Sequence, residues 1–204
     1  MHFPWSPNLQ NDDRMLESTD GFIGKRIIVT EKMDGENTSL YTDHIHARSI
    51  DSKYHPSREW VKAFWGSIKH EIPSFMRICG ENMYAKHSIH YTNLNSYFLG
   101  FSVWVDDVSL DWETTEMWFD LLGIEPVPVW YDGIYSENKL HELWEEYGGE
   151  NVEGYVVRVA DKIPVDSFSV LVGKYVRKNH VQTNKFWMNQ PVIPNVLKPH
   201  EITS

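Results

Sequence analysis

The strongest constraint on the fold of this chain is a run of β-branched residues, Ile27 to Val29, that leads into Thr30-Glu31-Lys32-Met33-Asp34-Gly35-Glu36-Asn37. Residues branched at Cβ favour a buried strand, and an Asp-Gly pair favours a sharp turn just after it. We therefore expect Lys32 to project from the end of a strand, where a ligand can reach its amine.

A lysine at such a position is a candidate nucleophile. The amine attacks only in its neutral form, which neighbouring cations or partial desolvation promote. At average residue usage, Lys-x-Asp-Gly arises by chance in roughly one chain of this length in twenty. On these four residues alone, a solvated lysine in a hairpin turn is the better interpretation, so the case for chemistry depends on the rest of the chain.

Length and composition describe one globular domain, with room for a short appendage. The 204 residues include 41% hydrophobic residues, nine tryptophans, ten tyrosines and nine phenylalanines, so we expect a core rich in aromatic side chains. Cys79 is the single cysteine and the start of the chain does not resemble a secretion signal, which favours a cytoplasmic (intracellular) location. No apolar run approaches the roughly 20 residues of a membrane span, so we expect no membrane partner.

The charge of the chain argues against broad binding of polyanions. A formal net charge of -10 and a pI near 5.4 confine any contact with nucleic acid to a local patch. One basic segment could supply it, or could be a solvated tail, and both interpretations stay open. It contains Lys174, Arg177, Lys178, His180, Lys185, Phe186 and Trp187.

Hydrophobic periodicity and turn residues divide the chain into strands and helices. We predict an irregular lead-in over residues 1–20, a main domain over 21–190 and a C-terminal tail over 191–204. Strands are predicted at 25–31, 37–41, 44–49, 76–81, 97–105, 126–129, 152–158 and 170–176, with amphipathic helices at 60–68, 111–122 and 137–147. Ser57 is the expected cap of the first helix. This pattern indicates an α+β domain of mostly antiparallel sheets with three helices packed outside.

Several further side chains lie where a ligand could meet them. Glu81 follows a glycine at a strand end, and Glu153 precedes a glycine at a strand start, so both offer an accessible carboxylate. Phe101 lies in the most aromatic strand, whose period of two places it on one side with Tyr97, Leu99, Val103 and Val105; it could stack on a base or pack in the core.

The hairpin after Lys32 places three more polar residues on one face. His44, His46 and Arg48 alternate along its second strand. Two histidines spaced in this way could ligate a metal, but no third ligand follows at a recognisable spacing, so we disfavour a zinc site.

Taken in order, these elements form a series. The chain has Lys-x-Asp-Gly at Lys32, an arginine one hairpin later, a Gly-Glu strand end, an aromatic strand, Glu153-Gly154-Tyr155-Val156-Val157-Arg158 and Gly173-Lys174-Tyr175-Val176-Arg177. The series resembles the covalent nucleotidyltransferases, the superfamily of ATP-dependent DNA and RNA ligases and mRNA capping enzymes. Over about residues 25–190 it looks most like the stand-alone RNA ligases of bacterial and phage type.

The resemblance implies a fold and a set of roles. The fold would be the nucleotidyltransferase (adenylation) domain of ligase type, with no OB domain. Lys32 would attack the α-phosphorus of ATP to form lysyl-AMP and release pyrophosphate. Glu81 would hold the ribose and Phe101 would stack on the adenine. Glu31 would take part in nucleotide recognition, and Arg48 would contact the nucleotide or the RNA end.

Charge near the phosphates would come from the later motifs. The resemblance implies that Glu153 binds Mg²⁺ or Mn²⁺ and that Lys174 neutralises the α-phosphate. RNA ligases often carry a second lysine two positions after the first in the last motif, where this chain has Val176. Arg177 or Lys178 would then supply the second charge.

The later steps implied by the resemblance move AMP to an RNA 5′-phosphate and let an RNA 3′-hydroxyl displace it. No OB-type or dedicated RNA-binding domain is recognisable downstream, so the expectation is that the catalytic domain recognises RNA ends alone or with an accessory RNA-binding partner. A monomer is favoured. The acidic charge predicts modest intrinsic affinity for nucleic acid.

Two alternatives remain open. One is another covalent nucleotidyltransferase, either a DNA ligase or a capping guanylyltransferase. The other is a non-catalytic nucleotide-binding or RNA-binding module, in which Lys32 is a salt-bridging surface group.

Overall fold

The computed structural model describes residues 18–48, 54–177 and 191–199, which form two β-sheets with helices packed on them. This confirms the α+β class predicted from the sequence. The strands in chain order are β1 (Arg26–Lys32), β2 (Glu36–Leu40), β3 (Ile45–Ala47), β4 (Met76–Asn82), β5 (Phe98–Val105), β6 (Val108–Ser109), β7 (Glu125–Pro126), β8 (Val129–Ile134), β9 (Gly154–Val159), β10 (Ile163–Pro164) and β11 (Val172–Val176).

The two sheets carry the two ends of the candidate site. A four-stranded antiparallel sheet has the order β11, β9, β1, β8, and its central pairing sets Lys32 opposite Gly154. A seven-stranded sheet has the order β10, β6, β5, β4, β2, β3, with β7 as a parallel neighbour of β5. In that sheet Asn37 lies opposite Glu81. Lys32 and Glu81 therefore lie at or beside the ends of strands from different sheets.

Three amphipathic helices lie where the sequence predicts them, α1 (Glu59–Ile68), α2 (Trp112–Leu122) and α3 (Glu137–Tyr147). Ser136 caps α3, and Asp111 caps α2 by accepting a 2.8 Å hydrogen bond from the amide of Thr114. Gly123 ends α2 with a φ of 63°, a left-handed conformation that glycine adopts without strain. In the described part of the chain, no helix is long and apolar enough to cross a bilayer.

One helix cap and one strand start were predicted wrongly. Ser57 does not cap α1; it lies inside a 3-10 turn, Pro56–Arg58, which the side chain of His55 caps. The predicted strand at 170–176 begins only at Val172, because a short helix, α4 (Phe168–Leu171), occupies its start.

Separate hydrophobic clusters hold the helices on the two sheets. Val61 of α1 and Phe119 of α2 pack with Phe98 of the seven-stranded sheet. Leu140 of α3 packs with Val157 of the four-stranded sheet. Full burial of side chains of this size contributes roughly 1.5–3 kcal/mol each. The helices thus cover the sheet faces and leave the strand ends that carry Lys32 and Glu81 to build the site.

The predicted alternation along β5 holds for Tyr97, Leu99 and Phe101 and fails after Phe101, because β5 contains a β-bulge. The register between β4 and β5 shifts between Cys79 and Gly80, which leaves Phe101 without a partner residue in β4. One extra residue inverts the alternation of the side chains that follow. Leu99 accordingly packs in one cluster and Val103 in another.

The predicted edge strand at 126–129 divides between the two sheets. Pro126 ends β7, which pairs with β5, whereas Val129 begins β8, which pairs with β1. Pro128 lies at the crossing, where it has no N–H to offer a ladder. Its carbonyl instead accepts a 2.8 Å hydrogen bond from the amide of Glu31.

Residues 191–199, which we call the C-terminal strap, pack against the loop of residues 83–97 between β4 and β5. β-Bridges join Ala85 to Pro194 and Leu94 to Leu197. The strap belongs to the stretch expected to be a tail. Of the basic segment, Lys174 and Arg177 are described here, and Lys178, His180, Lys185, Phe186 and Trp187 lie outside the described residues.

Three glycines of the sequence motifs allow close approach between neighbouring parts of the chain. A Cβ on Gly154 would lie 1.8 Å from the carbonyl oxygen of Tyr175, and a Cβ on Gly80 would lie 2.4 Å from the ring of Phe98. A Cβ on Gly35 would lie 2.6 Å from a sulfur atom. None of the three has a positive φ, so Gly35 allows close packing at the predicted turn without a left-handed conformation.

We predict opposite effects of alanine at two glycines. Gly154→Ala should lower the free energy of unfolding by about 1–3 kcal/mol or more, because the new methyl group overlaps backbone atoms of β11 that cannot move freely. Gly66→Ala in α1 should raise it by about 1 kcal/mol, because the new Cβ meets no atom within 4 Å beyond its chain neighbours and the backbone of its own helix, and alanine favours the helix. Urea denaturation measures both; equal stability of the two variants would contradict the close-approach account.

Candidate active site

Lys32 lies at the centre of the candidate site. It is the last residue of β1, and its Nζ lies 2.7 Å from Oε2 of Glu153. Its side chain is 22% exposed, so the amine is mostly withdrawn from bulk water. The simple alternative of a fully solvated lysine in a turn does not describe this geometry.

Glu81 is a buried carboxylate near that amine. Burial raises its pKa to about 8; the positive charge of Lys32 opposes this shift, and the negative charge of Glu153 adds to it. Its Oε2 atom is buried and has no hydrogen-bond partner within the described residues. A buried polar atom without a partner costs free energy, so Glu81 is suited to a ligand that brings a hydroxyl group.

Glu153 is held in place by the residue that follows β11. Arg177 donates hydrogen bonds of 3.0 Å to the carbonyls of Val152 and Glu150, and its amide donates to the carbonyl of Glu153. Arg177 therefore fixes the loop that presents the Glu153 carboxylate. Its predicted contact with the nucleotide stays a prediction.

Lys174 lies on the same sheet face as Lys32, two strands away. It pairs with Val156, and Val156 pairs in turn with Thr30. Since Thr30 and Lys32 are two residues apart in one strand, their side chains share a face with that of Lys174. Lys174 is 6% exposed. We call Lys32, Glu81, Glu153 and Lys174 the Lys32 cluster.

Phe101 lies on an apolar wall next to this cluster. It packs against a group formed by Met33, Met83 and Leu99. Met33 directly follows Lys32, and Leu99 lies opposite Glu81 in the sheet. Phe101 thus puts an aromatic ring to the side of the cluster, a position suited to a flat base. The stacking role stays a prediction.

Glu31 adjoins Lys32 in sequence but lies on the opposite face of β1. Its side chain accepts a hydrogen bond from Trp130, and burial raises its pKa against the effect of that bond. Across the sheet it lies opposite Tyr155. The structure therefore directs the side chain of Glu31 away from the amine of Lys32, and its part in nucleotide recognition stays a prediction.

The hairpin of β2 and β3 carries the polar residues predicted after Lys32. Arg48 is exposed directly after β3, so its contact with a nucleotide or RNA end stays a prediction. His44 and Tyr41 stack with ring centroids 4.2 Å apart, and His44 Nδ1 lies 2.6 Å from Asp43. Within the described ranges, no three His, Cys, Asp or Glu side chains are arranged to hold a metal ion by themselves.

The sequence did not single out two residues that the structure places near Lys32. Asp34 Oδ2 accepts hydrogen bonds from the amides of Ser88 at 2.7 Å and Ile89 at 2.8 Å. His87 is largely withdrawn from water; burial lowers its pKa, and the negative charge of Asp34 opposes this. Asp34 belongs to the Lys-x-Asp-Gly motif, which is a sequence signal for it, whereas His87 belongs to no recognisable motif.

The Lys32 cluster has the parts needed for transfer of a phosphorus group to an amine. An amine lies 2.7 Å from a carboxylate that can hold a hard cation, on the same sheet face as a buried lysine that can face phosphate oxygens. Such transfers need charge placed in advance around the reacting phosphate.

Comparison of the sequence with models of protein families identifies the family of this chain. The model for RNA ligases, described as "RNA ligase", matches residues 25–176, well over half of the 204 residues. The chain belongs to the RNA ligase family. The matched range contains all four members of the Lys32 cluster. No curated protein matches this RNA ligase family member.

Solved structures of ligases share its fold. An archaeal ATP-dependent RNA ligase matches with a TM-score of 0.57 and 17% identity, over 80% of this chain and 46% of that one. Naegleria gruberi RNA ligase with PPi matches with a TM-score of 0.54 and 17% identity, over 86% and 57%. A putative ATP-dependent DNA ligase from Aquifex aeolicus matches with a TM-score of 0.52 and 18% identity, over 80% and 48%.

These comparisons settle the fold of this RNA ligase family member as that of ligase nucleotidyltransferase domains. The chain spans about half the length of the solved chains that it matches. At identities of 17–18% the likeness concerns the fold, and the activity has to be argued from the site.

The burial of Glu81 predicts a pH dependence of stability. Because its folded-state pKa of about 8 lies above the ordinary 4.5, the folded protein binds the proton more tightly than the unfolded chain. Stability should therefore be greatest below about pH 4.5 with respect to this group and fall by up to about 1.4 kcal/mol per pH unit towards pH 8. Glu81→Gln should reduce this decline, as measured by urea denaturation across the range.

Glu145→Gln, at an exposed position of α3, is the matched control and should leave the pH dependence as in the unmodified protein. If the free energy of unfolding declines equally for Glu81→Gln and Glu145→Gln between pH 5 and pH 8, the Glu81 carboxylate does not cause the predicted pH dependence.

Proposed function

We propose that this chain is an ATP-dependent RNA ligase that joins RNA 5′-phosphate and 3′-hydroxyl ends through lysyl-AMP and RNA-adenylate intermediates. One observation carries the proposal: the amine of Lys32 is mostly withdrawn from water, 2.7 Å from Glu153, and interacts electrostatically with the buried Glu81. The family and the shared fold of the ATP-dependent RNA ligases support the same activity.

In the first step, the neutral amine of Lys32 attacks the α-phosphorus of ATP. A bond forms between Nζ and phosphorus, the bond from the α-phosphorus to the bridging oxygen breaks, and pyrophosphate leaves; the proton lost from the amine passes to solvent water. Lys174, on the same sheet face, neutralises charge on the α-phosphate. Glu153 stabilises the ammonium form of Lys32 in the resting site, so attack requires that this ion pair first be weakened.

Binding of the nucleotide uses both sides of the cluster. Glu81 holds the ribose, since its free buried oxygen can accept a hydrogen bond from a hydroxyl group. Phe101 stacks on the adenine from the apolar wall. We propose that Arg48 contacts the nucleotide or the RNA end. Glu31 and Arg177 are further proposed nucleotide-binding residues.

The donor chemistry fits a divalent metal ion that the nucleotide helps to hold. Mg²⁺ usually binds through one or two carboxylates together with substrate phosphates, and Glu153 offers such a carboxylate. When bound, the ion would neutralise charge on the phosphates. Related Naegleria gruberi structures are described with ATP and Mn and with AMP and Mn, so we propose Mg²⁺ or Mn²⁺ here.

In the second step the adenylyl group moves from Lys32 to an RNA 5′-phosphate. In the third, an RNA 3′-hydroxyl attacks that phosphate, a new ester bond forms, and AMP leaves. We propose that RNA ends bind beside the cluster, with help from the basic segment or from an accessory RNA-binding partner, because the net charge of -10 opposes broad binding of RNA. A reducing, cytoplasmic setting suits the unpaired Cys79.

A DNA ligase is the second candidate. The Aquifex aeolicus structure, a putative ATP-dependent DNA ligase, matches this chain about as well as the RNA ligases do. The two activities share the first step and differ in the nucleic acid that they seal.

We predict that the protein gains one adenylyl group when incubated with ATP and Mg²⁺ or Mn²⁺, and that Lys32→Ala abolishes this gain, because no other amine occupies the position of Lys32. Intact-protein mass spectrometry measures the adduct. Lys25→Ala, an exposed lysine just before β1, is the matched control and should retain it.

A gain from GTP alone would assign the protein to the capping guanylyltransferases. No adduct from either nucleotide would indicate a non-catalytic binding module.

We predict that the protein seals 5′-phosphorylated RNA ends at least about tenfold faster than matched DNA ends, because sites that hydrogen-bond a substrate hydroxyl discriminate strongly against its absence. A panel of nicked duplexes, broken loops and single strands, resolved on denaturing gels, measures sealing and accumulated adenylated intermediate. Faster sealing of DNA would assign the chain to the second candidate.

A further inference from the structure

Besides the β-bridges, one buried asparagine bonds the C-terminal strap to the loop of residues 83–97. Asn195 is 1% exposed. Its Nδ2 donates to the carbonyl of Met83 at 2.7 Å, and its Oδ1 accepts from the amide of Tyr91 at 2.9 Å. Its backbone amide donates to the carbonyl of Tyr84, and its carbonyl accepts from the hydroxyl of Tyr97 at 2.9 Å. A single side chain with its backbone thus ties both ends of this loop together.

The same loop holds the turn that follows the nucleophile. The Tyr91 hydroxyl accepts a 3.0 Å hydrogen bond from the amide of Asp34, and the Asp34 carboxylate accepts bonds from the amides of Ser88 and Ile89. Tyr91 is therefore bonded to Asn195 through its amide and to Asp34 through its hydroxyl. These contacts connect the strap to a residue two positions after Lys32.

This connection bears on the direction of the amine. β1 ends at Lys32 and β2 begins at Glu36, so the residues between them leave the ladder. Met33 and Asp34 must then be placed by other contacts. Met33 packs in a cluster against which Leu197 of the strap is also packed. The strap therefore supports both residues that follow the nucleophile.

We propose that Asn195 and Tyr91 are positioning residues for Lys32: the strap fixes the loop of residues 83–97, and the loop fixes the turn that aims the Lys32 amine. The inference rests on the proposed function, since it concerns the step that forms lysyl-AMP. Neither residue touches the reacting atoms. Small displacements of a nucleophile are costly to rate, because attack requires an aligned approach within about 3–3.5 Å.

The test compares two tyrosines that differ in one contact. Tyr91→Phe removes the acceptor for the Asp34 amide and leaves the backbone bond to Asn195 available. Tyr97→Phe, the matched control, removes a hydroxyl bond to the same asparagine and does not touch Asp34. Single-turnover formation of lysyl-AMP is measured against ATP concentration for both, with thermal unfolding as the check on stability.

We expect Tyr91→Phe to lower the rate at saturating ATP about tenfold with little change in the ATP concentration at half-maximal rate, and Tyr97→Phe to remain within about twofold of the unmodified protein. A purely structural role would lower thermal stability in both variants and leave the rate of the folded protein unchanged. That result, with normal adduct formation, would overturn the positioning role and leave the proposed function intact.

A second measurement does not depend on activity. Hydrogen exchange of the Asp34 amide should accelerate in Tyr91→Phe and in Asn195→Ala, and stay unchanged in Tyr97→Phe. Unchanged exchange in Tyr91→Phe would overturn the connection even if every variant is inactive. If the unmodified protein forms no lysyl-AMP but exchange responds as expected, the proposed function fails, the structural connection stands, and the positioning role is withdrawn.

Discussion

The pairing of β1 with β9 is the interaction on which the site depends. It sets Lys32 opposite Gly154, and the glycine lets β11 approach so closely that any side chain there would collide with the Tyr175 carbonyl. Glu153, the residue before that glycine, is thereby delivered to the amine of Lys32. Lys174 arrives on the same face through the next pairing, so the pairing of three strands places Lys32, Glu153 and Lys174 on one side of the sheet.

Under the proposed function, the charge around Lys32 determines how an acidic protein binds a polyphosphate. Glu153, Asp34 and Glu36 all contribute negative charge at Glu81, which helps to raise its pKa. Such a site repels phosphate unless cations accompany it, and divalent ions that bridge carboxylates and phosphates meet that need. The net negative charge thus fits the proposed site, which would bind its nucleotide together with metal, and an RNA strand only through local contacts.

The sequence was informative where local chemistry decides structure and uninformative where distant segments meet. Ser136 and Gly123 mark helix ends through side-chain and backbone preferences, and the structure confirms both. The bulge at Phe101 depends on the register between two strands, which no local pattern records. Pro126 and Val129 join different sheets for a reason equally invisible in sequence. Lys32 was found from its motif, whereas Tyr91 had no motif.

The turn after Lys32, near the start of the chain, depends on contacts with residues near its C-terminal part. Lys32 comes from the first strand, yet the contacts that fix the turn after it come from the loop before β5, and that loop is closed by Asn195. Because closing long loops costs entropy, contacts of this separation form only when the intervening structure is in place. In the proposed positioning role, Lys32 is therefore held in its final direction only by the folded whole, which couples the proposed chemistry near one end of the chain to the packing near the other.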